Sequence, residues 1–450
     1  MQEAAPRAAG PAPQRRQRRA WYAYDWANSA FSTTVVTVFL GPYLTGIADD
    51  AADPEGFVHP FGIPVRAGSL FPYAVSLSVA LSVVLMLLVG AVADHTQRKR
   101  ELLALFAYVG ALATMALYLV QGTAYLLGAL LFVLANVSFS VSIIVYYSYL
   151  PDIAGPDERD EVSSRGWAAG YLGGGILLAL NLVLLSTHDS FGMTEGEAAR
   201  VSLFSAGAWW ALFTLIPVAV LRSPGRVRRE PLTGAALTAG FRQLAATLRH
   251  VRAYPLTLLF LAAYVFYNDG IQTVIALAAV YGEKELGLES STLVVAILMV
   301  QFLAFAGALA LGRTAAAIGA KRTVLATLVA WTATLVVGYF LPAGEPVMFF
   351  GLAALIGFVL GGSQALSRSL FSQLIPAGRE AEYFSLYETS DRGTSWLGPL
   401  LFGLAYQATG SYRLAIVTLV VFFVTGFGLL ARLPVRRAIV AAGNRPPEVV

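Results

Sequence analysis

The chain alternates between long apolar runs and short polar connections. At 1.5 Å rise per residue, a run of about 20 apolar residues matches the hydrocarbon thickness of a bilayer. Twelve runs are read as membrane-spanning helices, near 21–46, 70–93, 102–120, 124–150, 166–186, 201–221, 256–281, 292–311, 323–341, 347–374, 384–409 and 413–433. The first follows the basic stretch Arg15-Arg16-Gln17-Arg18-Arg19 and ends near "GIAD", much as a cleaved signal would. It is too long and too polar for a signal core of about 7–15 residues, and is read as a retained span.

Composition agrees with this pattern. The 450 residues are 57% hydrophobic and 13% charged, where a soluble chain is about 25% charged. There is no cysteine, which excludes a disulfide framework and a thiolate metal site. No metal or other cofactor is expected. The net charge of +4 could suggest nucleic acid, but the basic residues sit in the short connections, a pattern that sets topology. With the N-terminus inside, 25 Lys and Arg fall in inside segments and 4 in outside segments, leaving aside Arg368 and Arg392. Both termini are therefore expected in the cytoplasm, in a bacterial-type plasma membrane, with the chain a monomer in the lipid bilayer.

The longest inside connection divides the spans six and six. The expected organisation is a disordered tail over 1–20, a six-helix bundle over 21–221, a linker over 222–255, a second bundle over 256–435 and a tail over 436–450. Within the linker, Leu237, Phe241, Leu244 and Leu248 fall at helical spacing among arginines, a basic amphipathic helix for the inner leaflet. The two bundles repeat. Gly90 to Arg100 matches Gly312 to Arg322 at an offset of 222, and the turns after spans 4 and 10 match near 220. Parallel repeats of this kind mark transporter folds.

Gly90-x-x-x-Asp94 followed by Arg98-Lys99 resembles the loop motif of the major facilitator superfamily. The resemblance implies a glycine that lets two helices approach, and an Asp that caps the adjoining helix and pairs with an Arg across the cytoplasmic gate, to which Arg98 also belongs. His95 and Gln97 replace residues usual in that motif, and Ala316 replaces the Asp in the second copy. Asp94 is expected to meet a basic residue or a helix N-terminus. Glu388 and Arg392, four apart on span 11, suit an intrahelical pair or a gate pair.

Polar residues inside the spans carry the candidate chemistry. Span 1 holds Tyr24-Asp25-Trp26-Ala27-Asn28, then Ser32. Span 7 repeats the pattern as Tyr264-Val-Phe266-Tyr267-Asn268-Asp269, then Gln272. A carboxylate at the centre of a span costs roughly 2.5–3.5 kcal/mol on insertion scales, and such residues face a cavity or a partner. Superfamily resemblance implies that spans 1, 4, 7 and 10 line the central cavity. Span 4 adds Asn136 and Tyr147, and span 10 adds Gln364 and Arg368 on one face. Arg368 reads either as an anion-binding or gating residue or as a snorkelling arginine. Tyr171-Leu-Gly173-Gly174-Gly175 reads as a helix-packing stripe.

Taken together, "YDWANSAF", "FYNDGIQTV" and "GGSQALSRSLFSQLIP" are similar to a small branch of the superfamily. Its bacterial members mostly lack an assigned substrate, and its fungal members are vacuolar amino-acid effluxers associated with autophagy. The similarity covers about 20–435. It implies an all-α, twelve-helix fold and secondary transport of a small-molecule solute, an amino acid or similar metabolite, by alternating access with proton coupling. A facilitative uniporter and a membrane sensor on a transporter scaffold are the alternatives. An enzyme is not expected, because the four histidines fall in connections and no base stands near an intramembrane serine.

Overall fold

The computed structural model describes residues 11–96, 98–222, 251–394, 397–409 and 411–449. Eleven helical segments among them are long and apolar enough to cross a membrane. In the first half these are α1 (Pro11–Ala30) running on into α2 (Leu40–Asp50), then α3 (Leu70–Thr96), α4 (Lys99–Ala116) and α5 (Tyr125–Tyr147). The short α6 (Leu150–Ile153) leads to α7 (Arg159–Ser186) and α8 (Glu195–Val220). The second half has α9 (Pro255–Lys284), α10 (Ser290–Ile318), α11 (Ala320–Phe340) and α12 (Pro346–Gln373). Next come α13 (Glu380–Thr394) and α14 (Leu397–Thr409), α15 (Tyr412–Thr418) and α16 (Val420–Arg432), then α17 (Val435–Ala441). One end of the bundle carries α17 and the start of α1, and is called the terminal side. The other carries a small antiparallel hairpin, β1 (Phe57–Val58) with β2 (Val65–Arg66), and is called the hairpin side.

Local sequence explains several of these elements. Between α1 and α2 the helix widens into a π-type segment, Phe31–Phe39. Thr33 Oγ1 donates to Ser29 O at 2.8 Å and Thr37 Oγ1 to Ser32 O, five residues back, at 2.8 Å. The run Thr33-Thr34-Val35-Val36-Thr37-Val38 is β-branched throughout, which crowds the tighter α-turn. The sharp turn from α10 into α11 rests on Gly319 at φ 93°, which a side chain would strain. Thr194 and Glu197 form a capping box on α8.

The glycine stripe of α7 packs as expected. A Cβ on Gly173 would stand 2.6 Å from Trp26 O, and one on Gly174 3.0 Å from Thr33, so α7 lies directly on α1. Across the halves, α7 packs on α10 and α12, and α13 packs on α3 and α5.

Span 11 is helical on both sides of residues 395 and 396, as α13 and α14. The expectation for the tails needs correction. The tails are ordered where described. Residues 11–20 are helical, with Gln14 and Arg18 donating to Ile153 O at 3.2 and 2.8 Å. At the other end α17 buries Val435, Ala438 and Ile439, and Asn444 Nδ2 donates to Gln373 O and Ile375 O at 2.9 and 2.7 Å. Apolar positions at helical spacing and an amide facing two helix-end carbonyls explain why these ends dock. The amphipathic stretch expected within 230–255 lies almost wholly outside the described residues.

Candidate functional site

A cavity of about 230 Å³ lies between the halves. Asp25, Asn28, Ser29 and Ser32 line it from α1 and the π-segment. Their spacing of three, four and seven places them on one helical face. Phe139, Ile143 and Tyr147 close it from α5 and Trp167 from α7. The second half contributes Tyr264 and Gln272 from α9, Gln364 from α12, and Tyr387, Glu388 and Asp391 from α13. Of the sequence-derived candidates, Asp25, Asn28, Ser32, Tyr147, Gln272, Gln364 and Glu388 thus meet in one space.

Behind that surface lies a second layer. Arg368 is fully buried and does not snorkel. Its Nη1 meets Asp25 Oδ2 at 3.3 Å, Nε donates to Ser163 Oγ at 2.9 Å, and Nη2 donates to Ser163 O at 2.7 Å. Tyr146 OH donates to the same Asp25 oxygen at 2.6 Å. The rings of Trp21, Tyr147, Trp167 and Tyr146 surround the guanidinium carbon at 4.7, 4.9, 5.3 and 5.9 Å. Gly166 makes this room: a Cβ there would stand 2.6 Å from Trp21 and 2.7 Å from Asp25 Oδ2. On the other wall, Gln364 Nε2 donates to Asn268 Oδ1 at 2.9 Å, and Asn268 Nδ2 in turn donates to Asp391. Asn268 therefore aims two lining residues rather than lining the space itself.

Two candidates lie elsewhere. Asn136 Nδ2 donates to Ser78 Oγ at 2.7 Å and ties α5 to α3, away from the cavity. Asp269 is buried but absent from the cavity wall, although the repeat sets it on the face of Ser29. Asp269 instead faces α14, where the Gly398 amide stands near it short of hydrogen-bond geometry.

The terminal side of the cavity is closed. Asp94 accepts from the Ala381 and Glu382 amides at 3.1 and 2.8 Å, capping the first turn of α13. Of the two partners expected for Asp94, the helix N-terminus is the one these bonds show. Gly90 allows that contact, since a Cβ there would lie 2.8 Å from Ala381 O. Lys99 Nζ reaches Asp152 at 3.1 Å and, across the halves, Glu380 at 3.6 Å. Arg159 Nη1 donates to Ser372 O at 2.8 Å, Ser163 Oγ donates to Ala365 O at 2.7 Å, and Ser369 bonds Asp160. Arg98 holds the N-cap position of α4, and its Nε has no partner among the described residues, so no gate bond to Asp94 runs through that atom. The side chain of Arg392 lies outside the described residues.

Sequence reasoning missed Ser163, Gly166, Trp167, Arg159 and Lys99. "SSRGWAAG" places Ser163, Gly166, Trp167 and Gly170 at helical spacing, a mixed polar and small-residue face that marks a crowded helix contact. Arg159 had been counted only as a loop charge, and Lys99 only as part of the loop motif.

The family model described as "Vacuole effluxer Atg22 like" matches residues 13–443. The major facilitator-type transporter YxiO of Bacillus subtilis is 29% identical over 422 residues, 93% of this chain and 95% of that protein. Autophagy-related protein 22 of Yarrowia lipolytica is 27% identical over 460 residues, 84% of this chain and 77% of that one. Among solved structures, the proton:xylose symporter XylE superposes with a TM-score of 0.69 at 11% identity, covering 95% of this chain and 97% of that one. A bacterial homologue of the iron transporter ferroportin in its outward-facing state gives 0.66 at 15% identity, covering 94% and 99%. These structures share the major facilitator fold with this chain.

Proposed function

The chain belongs to the Atg22-like vacuole effluxer family, a branch of the major facilitator transporters, and we propose that it carries a small solute by alternating access through the cavity between its halves. One observation carries this reading: among the described residues, the hydrogen bonds that join the halves run from the cavity to the terminal side. On the hairpin side an open cavity of about 880 Å³ is lined by first-half residues such as Asp50 and Arg200, with Val294 at its edge from the second half, and no hydrogen bond among the described residues joins the halves there. A carrier closed at one end and open at the other is a natural resting state of this cycle. The terminal side, rich in Lys and Arg, is assigned to the cytoplasm.

The central cavity bounds the cargo. At about 30 Å³ per water it holds roughly eight waters' volume, enough for an amino acid or similar metabolite in this conformation. Asp25, Asn28, Ser32, Tyr147, Gln272, Gln364 and Glu388 are assigned to contact it. Asn28 Nδ2 is buried without a partner, a donor placed for a solute oxygen. Asn268 positions Gln364, and Arg368 holds Asp25. Asp269 is assigned the coupling proton, because neither carboxylate oxygen bonds a described residue. Gly90, Asp94 and Lys99 form the gate.

Purified protein, screened by thermal shift against amino acids and small metabolites, should be stabilised by its solute as RT ln(1 + [L]/Kd). That solute should then enter or leave proteoliposomes, faster with a pH gradient. A stabilising ligand that never crosses the membrane would overturn the transport reading.

A further inference from the structure

Among the described residues, every polar group and ring that holds the Arg368 guanidinium belongs to the first half. Asp25 and Trp21 come from α1, Tyr146 and Tyr147 from α5, and Ser163 and Trp167 from α7. Arg368 itself stands on α12 of the second half. It is a cation of one half plugged into a socket of the other. Four aromatic faces within 6 Å, one carboxylate and a serine offering both its hydroxyl and its carbonyl oxygen make a complete site for a planar cation.

We propose that this socket is a cation-binding site in its own right, and that it takes a guanidinium group from a solute on the terminal side when Arg368 withdraws. The proposal rests on the alternating-access reading, since only separation of the halves on that side frees the socket. The physical reason lies in Asp25. A buried carboxylate stripped of its partner is costly, so separation needs a replacement for Arg368. A proton on Asp25 would neutralise the carboxylate but leave four ring faces and the Ser163 carbonyl without a cation. A guanidinium satisfies all of them together. An incoming guanidinium therefore competes with Arg368 and favours the conformation opened on the terminal side.

The probe is methylguanidinium chloride, with methylurea as its neutral isostere and sodium chloride as the salt control. In Arg368→Ala the socket stands empty. Methylguanidinium should raise the melting temperature of this variant in a concentration-dependent way, while methylurea and sodium chloride do not. Trp21→Leu added to Arg368→Ala should abolish the rise. Equal stabilisation by methylurea, or none by methylguanidinium, overturns the proposal.

A second measurement covers the case in which Arg368→Ala does not fold. The chain has no native cysteine, so spin labels can be placed at Arg100→Cys and Arg322→Cys, exposed positions on α4 and α11. In the otherwise native protein, methylguanidinium should raise the population with the longer distance several-fold over methylurea. If that population responds to pH or to another solute but not to methylguanidinium, the socket proposal fails and alternating access stands. If no condition ever separates the labels, both fail.

Discussion

The closed terminal side depends on a close approach that only a glycine permits, and Gly90→Ala is the sharpest perturbation of it. The added Cβ would stand 2.8 Å from the Ala381 carbonyl oxygen and 3.2 Å from the Ser385 Cβ. The first of these is backbone in the opening turn of α13, so the helix must move. Overpacking of this kind costs about 1–3 kcal/mol. The displacement also lengthens the Ala381 and Glu382 amide bonds to Asp94, hydrogen bonds to a charged group that contribute about 1.5–3 kcal/mol each. Both effects act only while α3 and α13 touch. A differential cost of about 1.4–3 kcal/mol lowers the ratio of closed to open conformers by roughly 10- to 150-fold.

Spin labels on α4 and α11 read that ratio directly. Gly90→Ala should shift the distribution toward the longer distance, with concentrative uptake reduced and the melting temperature still cooperative. Asp94→Asn keeps the approach but loses the charge on the α13 N-terminus, so it should move the ratio the same way by less. A native distance distribution and native turnover in Gly90→Ala would refute the gate, since the clash would then be absorbed without cost.

Gly166→Ala should slow transport at least about tenfold, because a Cβ 2.7 Å from Asp25 Oδ2 and 3.0 Å from Arg368 Nη2 forces the pair apart; native uptake would show the pair to be dispensable. Asp269→Asn should remove the pH-dependent part of transport while leaving counterflow exchange, and Asp25→Asn should impair both; proteoliposome assays with and without a pH gradient separate the two. On the hairpin side, the Phe57 amide, His59 and the Glu55 amide hold the Asp53 carboxyl below its usual range. That contribution is present above the ordinary aspartate range and lost as pH falls through the lowered value. Amide protection factors across residues 53–66, taken relative to the intrinsic exchange rate at each pH, should fall at acid pH in the native protein and show no such acid step in Asp53→Asn.

Much of the fold was legible because the bilayer imposes it. A span must satisfy its backbone internally, so apolar runs of the right length have one reading. The tails were misjudged from composition. Composition marks a Pro- and Arg-rich end as disordered, but docking depends on which carbonyls stand nearby, and Gln373 and Ile375 are about 70 residues from Asn444.

The site shows where a one-dimensional reading stops. Asp25, Asn28 and Ser32 were found because a single helix fixes their common face. Asn268 and Asp269 align with Asn28 and Ser29 in the repeat, yet neither lines the cavity as its counterpart does, since equivalent positions on two helices need not share a rotation about the helix axis. The pairing that matters most, Asp25 with Arg368, joins residues 343 apart, and no helical period connects them. Each alone invited a separate account, an intramembrane acid facing a cavity and an arginine that binds an anion, gates or snorkels. Together each removes the other's desolvation problem, which is why both can be buried. The consequence is mechanical. A charge pair whose members belong to different halves is stable only while the halves meet, so whatever opens the terminal side must also compensate Asp25. The residue that makes the closed state affordable is the one that sets the chemical condition for leaving it.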